Sequence, residues 1–173
     1  MFSLDNFRNK IKDIARPYHW KVIFSGGGAF PGIKAGTDIN IYMRTAALPG
    51  LTINEVAVSY FGMTYKLAGT PTYEPLTAQF IIDAEYEILE KMRLVLNTVY
   101  EYKEKGPAWG APTEYMGSMK IEQLNTKRET VSSYDLKLAY LSAISAIQYG
   151  HETKDAPLTF DATITYSYYT KSK

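Results

Sequence analysis

The strongest constraint on the fold is a period-two alternation near the carboxyl end of the chain. Apolar residues alternate there with small polar ones; they are Leu158, Phe160, Ala162, Ile164, Tyr166 and Tyr168. Successive side chains of a strand point to opposite faces, so the pattern predicts a strand with one buried and one solvated face. Half-buried strands are typical of antiparallel sheets, whereas strands of parallel sheets read as continuous apolar runs.

Shorter alternations predict further strands along the chain. They cover residues 18–24, 39–44, 56–60, 64–67, 76–82, 119–123 and 136–140. A turn is expected at residues 61–63, a loop at residues 69–75, and a hydrophilic turn at residues 125–129, because Gly, Pro and Asn interrupt the alternation there.

One long helix is predicted over residues 84–105. Asp83 is its expected N-cap, and Gly106-Pro107 its expected end. Its apolar stripe at helical spacing comprises Ile88, Met92, Val95, Val99 and Tyr102. A βαβ rhythm is missing, so we expect a mainly β (β+α) fold: an antiparallel β-sandwich or barrel with one flanking α-helix. Residues 1–16 are expected to form an N-terminal arm or short helix of a single domain spanning residues 1–173.

Composition excludes several classes of function. Lys and Arg number 19 against 18 Asp and Glu, without the basic excess typical of proteins that grip DNA. Cysteine is absent, which excludes disulfides and thiolate metal sites. No apolar run has the length of a membrane helix, so membrane insertion is not expected. Fifteen Tyr and seven Phe favour sheets and subunit contacts.

Candidate chemical motifs lack their necessary context. The glycine-rich residues 25–28 are not followed by the Lys-Ser/Thr pair of a phosphate-binding loop. His19 and His151 are the only histidines, too few for a converging metal site. Three acidic residues of the predicted helix spread around its surface; they are Glu85, Glu87 and Glu90. We therefore expect no catalytic residue, no cofactor and no metal, and a protein that is not an enzyme.

An ordered series of short motifs spans residues 14–169. The series comprises residues 15–17 (Ala-Arg-Pro), 20–22 (Trp-Lys-Val), 44–50 (Arg-Thr-Ala-Ala-Leu-Pro-Gly), 65–69 (Tyr-Lys-Leu-Ala-Gly), 76–83, the helix, 113–115 (Thr-Glu-Tyr) and the tyrosine-rich final strand. In this order and size the chain resembles the tail tube proteins of contractile-tailed bacteriophages. It departs from that pattern in the long glycine-rich loop at residues 26–36.

The resemblance implies a structural subunit. Six copies would form a ring with a continuous inner β-barrel, and stacked rings would form a hollow tube inside the contractile sheath that conducts DNA into the host. The implied partners are further copies, the tail sheath protein, the baseplate tube initiator, the tape measure and the tail terminator. DNA would pass through without specific binding. The implied location is the virion, after assembly in the host cytoplasm.

Two sets of residues are candidates for these roles. An apolar segment is predicted to contact the adjacent subunit or ring: Ala47, Leu48, Pro49, Gly50, Leu51 and Ile53. Polar residues on predicted strands are candidates for the lumen wall: Asp38, Asn40, Thr77, Gln79 and Asp161.

Two alternatives remain open from the sequence. The first is a baseplate tube initiator, or the tube of a related contractile injection system, with a similar fold and assembly. The second is a monomeric ligand-binding β-sandwich, whose groove would carry exposed aromatic residues; the candidates are Trp109, Tyr166, Tyr168 and Tyr169.

Overall fold

The computed structural model describes residues 16–25, 39–104, 106–150 and 156–172. Its strands are β1 Trp20–Ser25, β2 Met43–Ala46, β3 Leu51–Tyr60, β4 Met63–Tyr73, β5 Leu76–Ile81, β6 Tyr100–Lys103, β7 Gly106–Trp109, β8 Gly117–Leu124, β9 Thr130–Ile144, β10 Thr159–Thr165 and β11 Tyr168–Lys171. Its helices are α1 Ile39–Tyr42, α2 Glu87–Val99 and α3 Pro112–Tyr115. The predicted mainly β fold is confirmed.

Seven of these strands form one bent antiparallel sheet. Its order is β1-β8-β9-β10-β5-β2, and β11 also pairs with β9. The bend lies in β9, where Leu138 is the extra residue between Lys137 and Ala139, which pair with Ser118 and Gly117. Leu138 has φ +54°. Such a bulge bends its strand, so the first part of β9 pairs with β8 and β11, and the last part with β10.

The core lies between the two halves of this sheet and under α2. Strands β5 and β10 alternate buried and more exposed residues along their length, as the sequence predicted. Phe80 and Phe160 are paired across the two strands, and their rings stack at 5.3 Å. Helix α2 packs against β9 and buries one apolar stripe in the same core: Ile88, Leu89, Met92 and Val95.

Helix α2 is shorter than predicted at both ends. Its N-cap is Tyr86, with φ 59°, but the Asp83 carboxylate still accepts hydrogen bonds from the backbone N–H groups of Glu87 and Ile88, at 3.2 and 3.5 Å. At the other end the chain continues as β6, which pairs with β7. Thr98, Val99 and Tyr100 have high strand propensity, and Gly106, with φ +112°, serves the β6–β7 hairpin and does not stop the helix.

Three further predictions of local structure are corrected. Residues 39–42 form α1, so only residues 43 and 44 of the second strand predicted at 39–44 are extended, as the start of β2. The predicted loop at residues 69–75 is mostly strand, since β4 runs to Tyr73 and places Pro71 next to the irregularity between Ile53 and Glu55. Proline is tolerated in a strand at such bulges. The final strand is interrupted between Thr165 and Tyr168.

The predicted first strand, the turn at residues 61–63 and the hairpin around residues 125–129 are confirmed. The glycine-rich loop, His151 and nearly all of the predicted N-terminal arm lie outside the described residues.

Candidate assembly surfaces

A polar face covers the outer side of the half-sheet formed by β2, β5 and β10. Five of its side chains are Thr45, Thr77, Gln79, Asp161 and Thr163, and their register places them side by side. Gln79 donates a hydrogen bond from Nε2 to Oδ1 of Asp161 at 3.2 Å. Asp161 is the one charged group among these five, and the other four offer neutral hydrogen-bonding groups.

The polar face unites three of the five lumen candidates: Thr77, Gln79 and Asp161. Asn40 does not lie on it. Asn40 stands in α1, where its side-chain amide bonds the backbone of Val22 in β1. Asp38 lies outside the described residues.

This half-sheet has two edge strands. On one side, β2 pairs with β5 and is the terminal strand of the sheet order. On the other side, residues 140–144 of β9 pair with β10, while the pairing of β8 with β9 reaches only as far as Ala139. Within the part of the chain that the structure describes, the outer sides of β2 and of residues 140–144 have no strand partner. Unpaired edges are templates for strands of another chain.

A two-stranded hairpin, β3–β4, projects from the sheet; we call it the projecting hairpin. All its strand residues are exposed except Gly69 and Tyr73, which are partly buried. Three cross-strand pairs give the outer part of the hairpin one apolar face: Val56–Leu67, Val58–Tyr65 and Tyr60–Met63. The opposite face carries Glu55, Ala57, Lys66 and other smaller or polar residues. Contiguous exposed apolar surface of this kind marks interaction sites.

The tip of the projecting hairpin places Phe61 in an unfavourable position. Phe61 and Gly62 have φ of 47° and 78°, the left-handed geometry of a two-residue turn that favours Asn or Gly. The Phe61 side chain is also 89% exposed. Within its own chain the Phe61 ring contacts the Tyr60 ring at 4.7 Å. A bulky aromatic residue in that conformation and so exposed indicates a contact made elsewhere.

Four tyrosines connect the base of the projecting hairpin to the seven-stranded sheet. The Tyr73 ring lies 6.0 Å from Tyr166 and 5.5 Å from Tyr169, and Tyr169 lies 5.8 Å from Tyr134. The Tyr166 hydroxyl donates a hydrogen bond to the carbonyl oxygen of Glu74 at 2.8 Å. Burial raises the pKa of Tyr166 to about 12, with Tyr169 and Tyr73 adding to the shift. These rings therefore serve the packing of the chain, and Tyr166 is not an exposed stacking platform.

The predicted contact segment leads into this hairpin. Ala47 donates a backbone hydrogen bond to Thr77, and Gly50 accepts one from Glu74, so the segment is fixed at both ends. Pro49 is buried, whereas the other five residues are exposed. The sequence identified the start of the hairpin but missed its tip, although Phe61-Gly62 was recognised as a turn.

A second exposed region combines α2 with the β6–β7 hairpin. Trp109 and Tyr102 are each 76% exposed, and Leu94 on α2 is 57% exposed. The exposed surface of α2 also carries two ion pairs, Lys91 with Glu87 and Arg93 with Glu90. Gly110, which follows β7, lies against the backbone of α2, and only glycine fits there because a Cβ would collide with the carbonyl oxygen of Thr98.

The described residues contain neither a cluster of metal ligands nor a helix that could cross a membrane. No three His, Asp or Glu side chains of this part of the chain gather as metal ligands. His19 is partly buried, and its ring contacts Tyr18 at 4.4 Å. None of the helices in the described ranges is long and apolar enough to span a membrane.

Comparison with known proteins identifies the family. The family described as phage tail tube protein matches residues 13–172. The chain belongs to the phage tail tube protein family. It is accordingly a structural component of a phage-type tail tube, and the resemblance inferred from its motifs is confirmed. No curated protein shows significant sequence similarity to the chain.

Solved structures share the fold of this family member. A chain of the PVC sheath–tube complex, an extracellular contractile injection system in the extended state, aligns with a TM-score of 0.65 and 10% identity over 99% of both chains. A chain of the tube-terminating cap of the anti-feeding prophage aligns with a TM-score of 0.70 and 10% identity, covering 94% of this chain and 93% of that one. A chain of the six-fold symmetrised baseplate of the anti-feeding prophage gives 0.66 and 14%, covering 92% and 95%. Fold and family together favour a tube protein over a monomeric ligand-binding module.

Proposed function

We propose that this tail tube protein closes into a six-membered ring and that the rings stack into a hollow tube. The two open edges of the half-sheet carry this proposal. A β2 edge on one copy and a β9 edge on the next form a head-to-tail contact, which closes into a ring when the rotation between copies permits. Such closure pairs both open edges of the half-sheet. Six copies match the six-fold symmetry of the baseplate in which a chain of this fold occurs.

The polar face then becomes the wall of the lumen. Its side chains include Thr77, Gln79 and Asp161, with neutral groups dominating. A wall that lacks a row of cations does not hold phosphates, because strong binding of DNA needs Lys and Arg contacts. We therefore propose that DNA passes along this wall without specific binding.

The projecting hairpin supplies the contact between stacked rings. Its apolar face and Phe61 are exposed in the single chain, and packing them against the next ring removes that area from water. The start of the hairpin, Leu51 and Ile53, remains part of this proposed contact, together with the exposed segment before it.

The outer surface is then left for the other proteins of the tail. We propose that the charged face of α2 and the exposed aromatic groups of the β6–β7 hairpin meet the contractile sheath. A baseplate initiator and a terminator would bind the two ends of the tube, with a tape measure protein inside during assembly in the host cytoplasm. Chains of this fold occur in a sheath–tube complex, a tube-terminating cap and a baseplate.

A tube initiator in the baseplate is the second candidate. It shares the ring but stacks only a limited number of times. Unlimited growth of the purified chain into long tubes favours the tube protein, whereas rings that never elongate favour the initiator.

Cysteine labelling tests the assignment of the lumen. The chain has no cysteine, so Thr77→Cys introduces a single thiol on the polar face. In assembled tubes we expect a small maleimide to react with it and a large polyethylene glycol maleimide to be excluded. Asn97→Cys on the exposed face of α2 is the control, and it should react with both reagents. Equal reaction of Thr77→Cys with the large reagent in intact tubes would refute a lumenal polar face.

A further inference from the structure

The outer edge of β1 is occupied at its middle by the side chain of Asn40. Oδ1 of Asn40 accepts a hydrogen bond from the Val22 backbone N–H at 2.8 Å, and Nδ2 donates one to the Val22 carbonyl oxygen at 2.9 Å. A primary amide has the same donor and acceptor pair as a peptide group. Asn40 therefore satisfies Val22 as a neighbouring strand would.

Strand β1 is the other terminal strand of the seven-stranded sheet. On its inner side it pairs with β8 in continuous register from Trp20 to Ser25. In antiparallel strands alternate residues turn both backbone groups to the same side, so a strand added to β1 would need the two groups of Val22. Both are already bonded to Asn40, and an incoming strand would have to displace them.

The position of Asn40 is fixed by its neighbours in the chain. Ile39 precedes it and is 3% exposed, and Met43 follows α1 and is 6% exposed. These buried side chains hold α1 between β1 at one end of the sheet and β2 at the other. Helix α1 thus covers the edge of β1 and leads directly into β2, which supplies an open edge.

We infer that Asn40 determines which edges of this protein assemble, by closing β1 to strand addition. Proteins protect edge strands because unpaired backbone groups invite pairing with other chains. With Asn40 in place, strand addition is directed to β2 and to residues 140–144. Without it, both backbone groups of Val22 become available to a strand of another copy, and two copies can pair there in a geometry that does not lead to a closed ring. Only the consequence for rings rests on the proposed function.

Three variants of the full chain separate edge closure from folding. Asn40→Ala removes both hydrogen bonds and opens the edge. Asn40→Asp keeps an acceptor for the Val22 N–H, loses the donor, and places a charge that itself discourages strand pairing. Asn97→Ala, on the exposed face of α2, is the matched control for loss of an asparagine side chain. Circular dichroism establishes that each variant is folded.

Hydrogen–deuterium exchange with residue-level fragmentation measures the edge directly. In unassembled Asn40→Ala, the Val22 amide should exchange about tenfold faster than in the original chain, since its hydrogen-bond acceptor is lost. The neighbouring amides of Lys21 and Ile23 face β8 and should keep their protection. Unchanged exchange at Val22 in folded Asn40→Ala would overturn the inference.

Electron microscopy and thioflavin T fluorescence measure the effect on assembly. We expect Asn40→Ala to form irregular, dye-binding aggregates at concentrations where Asn40→Asp and Asn97→Ala do not. Rings from Asn40→Ala identical to those of the original chain would overturn the inference while leaving the proposed function intact. Failure of the original chain to form rings, with aggregation still specific to Asn40→Ala, would instead refute the proposed function and support edge closure.

Discussion

Replacement of Phe61 by Asn should strengthen the turn of the projecting hairpin and weaken the tube. Phe61 has φ +47°, a conformation that costs most L-residues about 1–2 kcal/mol and that Asn adopts more readily. The residue is 89% exposed, so apart from the ring contact with Tyr60 at 4.7 Å the substitution removes little contact within the chain. The free energy of unfolding of the unassembled chain, measured in urea, should therefore not fall and should rise by up to about 1 kcal/mol.

Stacking should respond in the opposite direction. Burial of a Phe side chain stabilises a contact by about 2 kcal/mol, which corresponds to a roughly 30-fold change in affinity for each subunit. We expect the concentration at which tubes appear, followed by light scattering, to rise at least about 30-fold. Arg128→Asn is the matched control, because Arg128 also has a positive φ, 62°, in the turn between β8 and β9. An unchanged threshold for Phe61→Asn would refute the assignment of the hairpin tip to stacking.

Three further changes test the packing and the stacking surface. Tyr166→Phe removes the hydrogen bond to Glu74 and should lower the free energy of unfolding by about 1 kcal/mol in urea. Burial raises the pKa of Tyr166 from 10.0 to about 12, so its protonated hydroxyl stabilises the fold below pH 10. The difference in free energy of unfolding between the original chain and Tyr166→Phe should therefore shrink as the pH rises from 10 towards 12. A difference that stays constant over this pH range would contradict the prediction. Asp83→Ala should lower the free energy of unfolding by about 1 kcal/mol, as loss of helix capping does, and an unchanged urea midpoint would argue against that role. Val56→Thr combined with Leu67→Thr should leave the unassembled chain within about 0.5 kcal/mol but raise the threshold for tube formation, and normal tubes would exclude this face from the contact.

Alternating patterns predicted the body of the fold well. Strands β5, β8 and β10 and the buried part of α2 follow directly from which residues are apolar, because each buries one face in the core of its own chain. The segment at residues 39–42 alternates in the same way but forms α1, since Asn40 finds its partner in Val22, eighteen residues earlier. A local pattern does not contain that contact.

The assembly surfaces show a different limit of sequence reasoning. Val58 and Tyr60 alternate with Ala57 and Ser59 as core residues would, yet both faces of their hairpin are exposed. Periodicity identifies an apolar face and does not say which chain covers it. The apolar stripe was likewise continued through Val99 to Tyr102, although the body offers no surface there and β6 begins at Tyr100. In contrast, Thr77, Gln79 and Asp161 were selected as polar positions on strands, and the sheet register brings them together.

The most direct test of the account is negative-stain electron microscopy of the purified chain over a range of concentrations, paired with light scattering. We expect rings of uniform diameter with a central hole, which join into hollow tubes of constant width as the concentration rises. A folded protein that remains strictly monomeric at every concentration, even when baseplates are added as seeds, would contradict it.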